Sequence, residues 1–299
     1  MTALHLAAAE GLDFGTEVIF TFGPLGFLTA PLVIDDTTAV LSFSYELLVR
    51  FALAATLIWT ARRSFSLIVA VVLVLAATTI VLKPAALVPI DGADPVVIVA
   101  FIWCVVALTP EAPRFSAPLL IYGGAVLSAI TLLVKVSSGI LLVLLCVLAI
   151  IGLAGSRPRN LGLFAGTYLA TLVFLWLATG QALIDFGDYL SAAWEITTGF
   201  SSAMVSDLPE VGWDRLAAAL MILGALGATA LACRGRAITA RVLLLGLIVT
   251  IFALFQFKDA FVRHDVQHVT RFPAAMLAPW FAFRWSGRES LVALAAIVA

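Results

Sequence analysis

Long apolar segments separated by short polar connections run along the whole chain. The apolar runs cover residues 39–60, 64–83, 95–109, 117–134, 137–154, 161–179, 214–233, 238–257 and 272–285, and a tenth begins near Ser290. Most of them approach the roughly 20 residues of a helical membrane crossing, and they lack the alternation in segments of about ten residues that is typical of membrane β-strands. The pattern predicts an all-α, polytopic transmembrane bundle of about nine or ten helices, folded as a single transmembrane domain over residues 1–299.

Arginines fall in every second connection between these runs. The connections that carry them contain Arg62 and Arg63, Arg114, Arg157 and Arg159, Arg234 and Arg236, and Arg284 and Arg288. Short cytoplasmic loops carry the Lys/Arg excess of a membrane protein, so we expect these connections to face the cytoplasm. The other connections hold most of the carboxylates, all lysines and all histidines. The pattern predicts an integral protein of a bacterial-type inner (plasma) membrane, with acidic loops facing outside.

The first outer segment, residues 1–38, is long enough to have structure of its own. Leu4, Ala8 and Leu12 are spaced as on one face of a helix, and glycines follow from Gly11. This spacing predicts a short juxtamembrane helix that lies on the membrane surface and ends between Gly11 and Gly15.

The second long outer segment covers residues 180–213. It carries Trp194, Phe200 and Trp213 among acidic residues. Tryptophan and other aromatic side chains favour the membrane–water interface, so we expect an interfacial lid with aromatic anchors.

Both ends of the sequence indicate a fragment. The topology places residues 1–38 outside, yet Met1 is followed by neither a basic nor an apolar segment that would translocate it. The last apolar run, from Ser290 to Ala299, has about half the length of a crossing. We therefore expect the sequence to be truncated at both ends and to lack at least one N-terminal helix.

Composition excludes several classes of protein. Of the 299 residues 63% are hydrophobic and 12% are charged, with a mean hydropathy of +1.14, whereas about a quarter of a soluble domain is charged. The net charge is −1 and the basic residues are scattered, which argues against a nucleic-acid partner. The cysteines show no C-x-x-C spacing, so neither a disulfide framework nor a thiolate metal site is expected. No cofactor is predicted, although a divalent metal stays open.

The loop from Gly11 to Leu28 is the first candidate for chemistry. Its turn, Gly23-Pro24-Leu25-Gly26, lies among aromatic residues, and an aromatic turn at the bilayer surface can hold a lipid-linked substrate beside a carboxylate. Asp13 and Glu17 could then act as a base or orient a hydroxyl. The alternative is an interfacial turn with solvated acids.

The second candidate begins at Phe257 and is the densest polar cluster of the chain. Its cations, Lys258, Arg263 and Arg271, could neutralise a phosphate. His264 and His268 would share one helical face and could act as an acid or a hydrogen-bond donor beside Asp265. Three alternatives stay open, namely a loop that only solvates a helix end, a loop that binds anionic lipid headgroups, and a His-x-x-x-His metal site that lacks a further ligand.

Charges and small residues inside the apolar runs give weaker signals. Lys135, between two adjoining crossings, could bind phosphate or snorkel to the interface. Glu46 and Arg50 are four residues apart and can form a structural ion pair. Gly162 and Gly166 predict a contact between packed helices.

The two polar loops together resemble those of the GT-C superfamily of polytopic membrane glycosyltransferases. The resemblance rests on Phe14-Gly15-x-Glu17 with Gly23-Pro24-Leu-Gly26, and on Phe257-Lys258-x-x-Phe-Val-Arg263-His264-Asp265-x-x-His268. It implies that an acidic residue of the first outer loop activates the acceptor hydroxyl, where Asp13 and Glu17 stand by position. It also implies that the later loop binds the phosphate of a polyprenyl-phosphate-linked sugar.

The leading hypothesis is an inverting glycosyltransferase that moves a sugar from a polyprenyl-phosphate donor to a glycan or lipid acceptor at the outer face of the membrane. A polymerase or ligase of lipid-linked glycans would use the same outer residues. A polytopic transporter would place charges and broken helices near the bilayer midplane. A non-catalytic membrane assembly subunit is favoured if the outer polar clusters prove dispensable.

Overall fold

A computed structural model describes residues 1–81, 94–153, 157–203, 212–262, 266–269 and 271–298. Within these ranges the regular structure is helical, and two isolated β-bridges occur without any strand. The prediction of an all-α fold is confirmed.

The helices are numbered here in chain order. They are α1 (Thr2–Glu10), α2 (Asp36–Ala61), α3 (Leu67–Val81), α4 (Pro95–Leu108), α5 (Ser116–Val134), α6 (Val136–Gly152), α7 (Arg157–Ala178), α8 (Phe186–Ala203), α9 (Gly212–Ala232), α10 (Ala240–Phe261), α11 (Val266–Val269), α12 (Arg271–Met276), α13 (Ala278–Ala282) and α14 (Arg288–Val298). Short 3₁₀ turns cover Gly26–Thr29 and Leu183–Asp185.

Five of these helices are long and apolar enough to cross a membrane, namely α2, α5, α7, α9 and α10. Shorter apolar helices cover Leu67–Ala77, Pro95–Leu108 and Val136–Gly152. The chain is therefore built as a helical membrane protein, while the number of nine or ten crossings stays a prediction.

Polar residues set the starts of several helices. The Asp35 carboxylate accepts a hydrogen bond from the amide of Thr38 at the start of α2, and Thr239 accepts one from Val242 at the start of α10. Asp94 caps α4, where Pro95 stands at the first helical position and needs no hydrogen-bond partner. These three apolar runs thus become helical directly after a side chain that satisfies the first amides.

Helix α4 lies at the centre of the bundle. Nearly all of its side chains are buried, and it packs against α2, α6, α10 and α13. Phe101 of α4 stacks on Phe252 of α10 with ring centroids 4.0 Å apart. A helix that is apolar on every side requires such full enclosure.

The predicted crossing over 272–285 is wrong. This segment forms α12 and α13, of six and five residues, separated by a turn at Leu277. Pro279 has no amide hydrogen to donate to the carbonyl four residues earlier, which explains the interruption. The residues are apolar because they are buried inside the protein, as Phe272, Ala275 and Phe281 are.

The N-terminal segment forms the predicted short helix. Helix α1 ends at Gly11, whose φ of 66° is left-handed and favours glycine. His5 is fully buried: its Nδ1 lies 3.0 Å from Thr38 Oγ1, and its Nε2 lies 2.6 Å from the carbonyl oxygen of Ala30. His5 therefore joins α1 to the start of α2.

Helix α8 occupies much of the segment predicted to be a lid. Trp194 and Trp213 are exposed, in keeping with aromatic anchors. The side chain of Phe200 and residues 204–211 lie outside the described chain, so the lid stays a prediction.

The predicted packing contact of Gly162 and Gly166 is not made inside the described chain. A Cβ atom at either position would meet no other atom within 4 Å. Both glycines lie on an open face of α7.

Candidate functional site

A sharp turn at Lys135 joins α5 to α6. Lys135 has extended dihedral angles, φ −148° and ψ 111°, and the two helices pack against each other from this turn onward. A Cβ atom at Gly139 would overlap the backbone of Leu132. The close approach of the two helices therefore requires glycine at this position.

Three charged side chains meet beside this turn. Lys135 Nζ lies 2.9 Å from Asp259 Oδ1, and Arg271 Nη1 lies 3.8 Å from Asp259 Oδ2. The side chains are 24%, 30% and 8% exposed for Lys135, Asp259 and Arg271. We call these three residues the Asp259 cluster. The ends of α5, α10 and α12 converge to form it.

A second carboxylate, that of Asp94, lies next to the cluster. Asp94 Oδ1 accepts hydrogen bonds from the amides of Val96 at 3.1 Å and Val97 at 3.4 Å, and the Ser138 hydroxyl also bonds to this carboxylate. Burial raises the pKa of Asp94 above its usual range, and the nearby Lys135 ammonium partly opposes this shift. Lys135 thus stands within electrostatic range of two carboxylates.

The N-terminal loop is attached to the Lys135 turn. The amides of Gly23 and Leu25 donate to the carbonyl oxygens of Val134 and Leu133, at 3.2 and 3.0 Å, and the amide of Val136 donates to Thr21 at 3.3 Å. A Cβ atom at Gly23 would overlap this backbone. The predicted Gly-Pro turn is therefore bound to the bundle and covers the approach to Lys135.

Helix α8 reaches the same turn. The Tyr189 hydroxyl donates to the carbonyl oxygen of Leu132 at 3.1 Å, and Tyr189 packs against Trp176 with ring centroids 5.3 Å apart. Both long segments predicted to lie on the outer side thus contact the end of the bundle that holds Lys135.

The two acids predicted as catalytic in the first loop close that loop on itself. The amide of Asp13 donates to Glu17 Oε2 at 2.9 Å, and Glu17 is exposed. The amide of Phe14, which is buried, donates to Gln181 Oε1 at 2.7 Å. Asp13 and Glu17 therefore stabilise the loop, and their catalytic role stays a prediction.

The residues predicted around the end of α10 divide into three groups. Arg271 belongs to the Asp259 cluster, and His268 lies within electrostatic range of Asp259. Lys258 is exposed. Arg263, His264 and Asp265 lie outside the described residues, so their roles stay predictions.

Two further expectations concern ions. Arg50 Nε lies 2.9 Å from Glu46 Oε2, which confirms the ion pair within α2. Among the residues that the structure describes, no group of three or more histidines, cysteines, aspartates and glutamates stands close enough to hold a metal.

Sequence reasoning assigned no role to Asp94 or Asp259. Their position in the sequence could have indicated a role, because each flanks an apolar run on the same predicted side of the membrane as Lys135. Which acid would meet Lys135 depended on the packing of α4, α5 and α10.

Comparisons with protein-family models, with curated proteins and with solved structures give no match to this chain.

Proposed function

We propose that this chain is an inverting membrane glycosyltransferase, which moves a sugar from a polyprenyl-phosphate donor to a glycan or lipid acceptor at the outer face of a bacterial inner membrane. The Asp259 cluster carries the proposal, because two cations converge there on one carboxylate at one end of an apolar bundle. Two cations beside one carboxylate suit the binding of an anionic ligand. The resemblance of the two polar loops to GT-C enzymes supports the same conclusion.

In the proposed reaction the acceptor hydroxyl attacks the anomeric carbon of the sugar. The bond from that carbon to the phosphate oxygen breaks, and polyprenyl phosphate leaves with the electron pair. Lys135 and Arg271 offset the negative charge on the leaving phosphate. Lys258, at the end of α10, and His268 extend the phosphate-binding set, and Arg263, predicted from the sequence for the same role, lies outside the described residues.

A base must take the proton of the acceptor hydroxyl. The sequence offers Asp13, Glu17, His264 and Asp265 for this role. The geometry favours Asp94 in addition, because it lies beside Lys135 and because burial raises its pKa, so that its ionised form is the stronger base. Asp259 is less suited, since Lys135 and Arg271 both occupy it.

Donor turnover tests the proposal. The protein in lipid nanodiscs is supplied with a panel of polyprenyl-phosphate sugars, and release of polyprenyl phosphate is measured. We expect Lys135→Gln and Arg271→Gln each to lower kcat/KM by about 10- to 100-fold, the effect of one charge-assisted hydrogen bond. Arg215→Gln, an exposed arginine at the start of α9, is the matched control. Unchanged turnover in both cluster variants would contradict the proposal.

Transport is a second candidate function, and one observation favours it. The buried segment from Arg271 to Ala282 is divided into two short helices, and interrupted helices at a ligand site are typical of secondary transporters. Uptake of labelled sugar phosphates into proteoliposomes, without any sugar transfer, would support this alternative over the transferase.

A further inference from the structure

At the end of the bundle opposite the Asp259 cluster, three arginines lie near one carboxylate and a fourth lies near one of the three. Arg236 Nη2 lies 3.3 Å from Glu111 Oε1, and Glu111 also acts electrostatically on Arg63 and Arg241. Arg284 lies within electrostatic range of Arg63. We call Arg63, Arg236, Arg241 and Arg284 the arginine cluster. With Glu111 included, its formal charge is +3.

Two members of the cluster are fixed by the end of α4. Arg241 Nη2 donates to the carbonyl oxygens of Ala107 at 2.9 Å and Thr109 at 3.2 Å, and Arg63 Nη2 donates to Thr109 Oγ1 at 3.3 Å. Cations at a helix C-terminus satisfy its last carbonyl groups. These bonds use only part of each guanidinium, and Arg241 Nε is buried without a hydrogen-bond partner. The guanidinium groups of Arg63 and Arg241 are therefore held in place, and each keeps N–H donors for a ligand.

The other two members are more accessible. Arg284 is exposed, and the side chains of Arg236 and Glu111 are 33% and 39% exposed. A ligand can thus reach the cluster from outside, and it would compete with Glu111 for Arg236.

Aromatic side chains mark the same end of the bundle. Trp59 and Phe115 contact each other with ring centroids 5.6 Å apart, and Phe115 is 53% exposed. Trp280 and Trp285 form a second pair at 5.8 Å, and the amide of Trp285 donates to Ser64 Oγ at 2.7 Å. Tryptophan is enriched at the level of the lipid headgroups. Trp285 is buried, so the exposed Phe115 and the half-buried Trp59 and Trp280 are the residues that support placing the arginine cluster at the depth of lipid phosphates.

We propose that the arginine cluster binds the phosphate of an anionic phospholipid headgroup. The arginine-bearing connections contain no lysine, and the planar guanidinium binds phosphate through two parallel hydrogen bonds where an ammonium acts as a point charge. Basic pockets between membrane helices are established in general as headgroup sites. The lipid is favoured over a free phosphate because Phe115, an exposed aromatic residue, follows Glu111 by four residues. This site is independent of the proposed transferase chemistry.

The test compares lipid binding of variants that remove equal charge. The protein is placed in nanodiscs of phosphatidylcholine with increasing phosphatidylglycerol, and the rise in Tm gives an apparent affinity. We expect Arg236→Gln/Arg284→Gln to weaken this affinity by about tenfold or more. The matched control is Arg157→Gln/Arg159→Gln, an exposed pair that begins α7 at the same end of the bundle, and it should retain the response.

Glu111→Gln should change the response to phosphatidylglycerol in the opposite direction. Removal of the carboxylate frees Arg236 and should strengthen the phosphatidylglycerol response severalfold, whereas loss of a merely structural ion pair would only lower Tm. Equal losses in the two arginine pairs would overturn the proposal in favour of general surface charge. A full response to inorganic phosphate in phosphatidylcholine, with no dependence on phosphatidylglycerol, would overturn it in favour of a soluble ligand.

Discussion

Single residues in this protein are held by partners far away in the chain. Asp259 meets Lys135, 124 residues earlier, and Gln181 holds the loop at Phe14 from 167 residues away. Charged pairs that are mostly buried depend on both members, because removal of one leaves the other desolvated and unpaired. Replacement of one member of such a pair should therefore lower the free energy of unfolding.

The pair of Lys135 and Asp259 should show this coupling. We expect Lys135→Gln or Asp259→Asn alone to lower the free energy of unfolding by about 2 kcal/mol, the range of a hydrogen bond between charged groups. The double variant should cost less than the sum of the single ones, because neither Lys135 nor Asp259 is then left charged without the other. Thermal unfolding in nanodiscs gives the four values, and strict additivity would show that the two groups do not interact.

The buried carboxyl group of Asp94 should make stability depend on pH. Its pKa is raised chiefly by desolvation, so the folded protein holds the proton more tightly than the unfolded chain. The stabilising contribution is complete below the unfolded pKa of about 4 and is lost as the pH rises through the raised value. We expect Asp94→Asn, which retains a capping acceptor, to reduce the fall of Tm between about pH 4 and pH 8. The exposed Asp36→Asn is the control, and equal pH profiles of wild type and Asp94→Asn would contradict this assignment.

At the scale of helices, the geometry of the site depends more on how closely two helices pack than on the helix propensity of their residues. The turn at Lys135 exists because Gly139 lets α6 come against the backbone of α5, and the Gly23 turn docks on the same backbone. Polar caps such as Asp35 and Asp94 start the helices, while the proline at position 279 divides the segment that follows Arg271.

Alanine substitutions at two helical glycines should distinguish the effect of helix packing on stability from the effect of helix propensity. Gly139→Ala is expected to destabilise the protein by about 1 to 3 kcal/mol, the usual cost of overpacking, since its Cβ would overlap Leu132. Gly166→Ala meets nothing within 4 Å and should be neutral or raise stability by up to about 1 kcal/mol through helix propensity. Measured Tm values in one nanodisc composition decide the matter. A stable Gly139→Ala variant would mean that the hairpin is looser than the structure has it.

At the scale of the molecule, charge is divided between the two ends of the bundle. Lys135, Asp94 and Asp259 lie at one end with the N-terminal loop, and the arginine cluster lies at the other. The apolar helices between them separate these two polar regions.

This division predicts that the two ends of α10 face opposite sides of the membrane. The 22 residues of the helix extend about 33 Å, enough to span the hydrocarbon core. In a Cys233→Ser background, we expect Lys258→Cys to react with an impermeant maleimide added outside intact cells, and Arg236→Cys to react only after the membrane is opened. The two native cysteines that remain, Cys104 and Cys146, are buried. Labelling of both positions from one side would refute the predicted topology.

The sequence by itself determined the helical class, the approximate course of most helices and the concentration of arginines in alternate connections, because hydrophobic periodicity, capping and loop charge are local properties of the chain. It predicted the ion pair of Glu46 and Arg50 for the same reason, since four residues are one helical turn. It misread residues 272–285, because burial in protein and burial in lipid select the same apolar side chains.

Only the tertiary structure decided which charges meet. Lys135 and Arg271 were both candidates for phosphate binding, but their common partner Asp259 and the neighbouring Asp94 come from other helices. The same holds for Glu111 and the arginines around it. The physical reason is that Coulomb energy depends on distance in space, and that distance is set by how helices pack, which local patterns in the sequence do not encode.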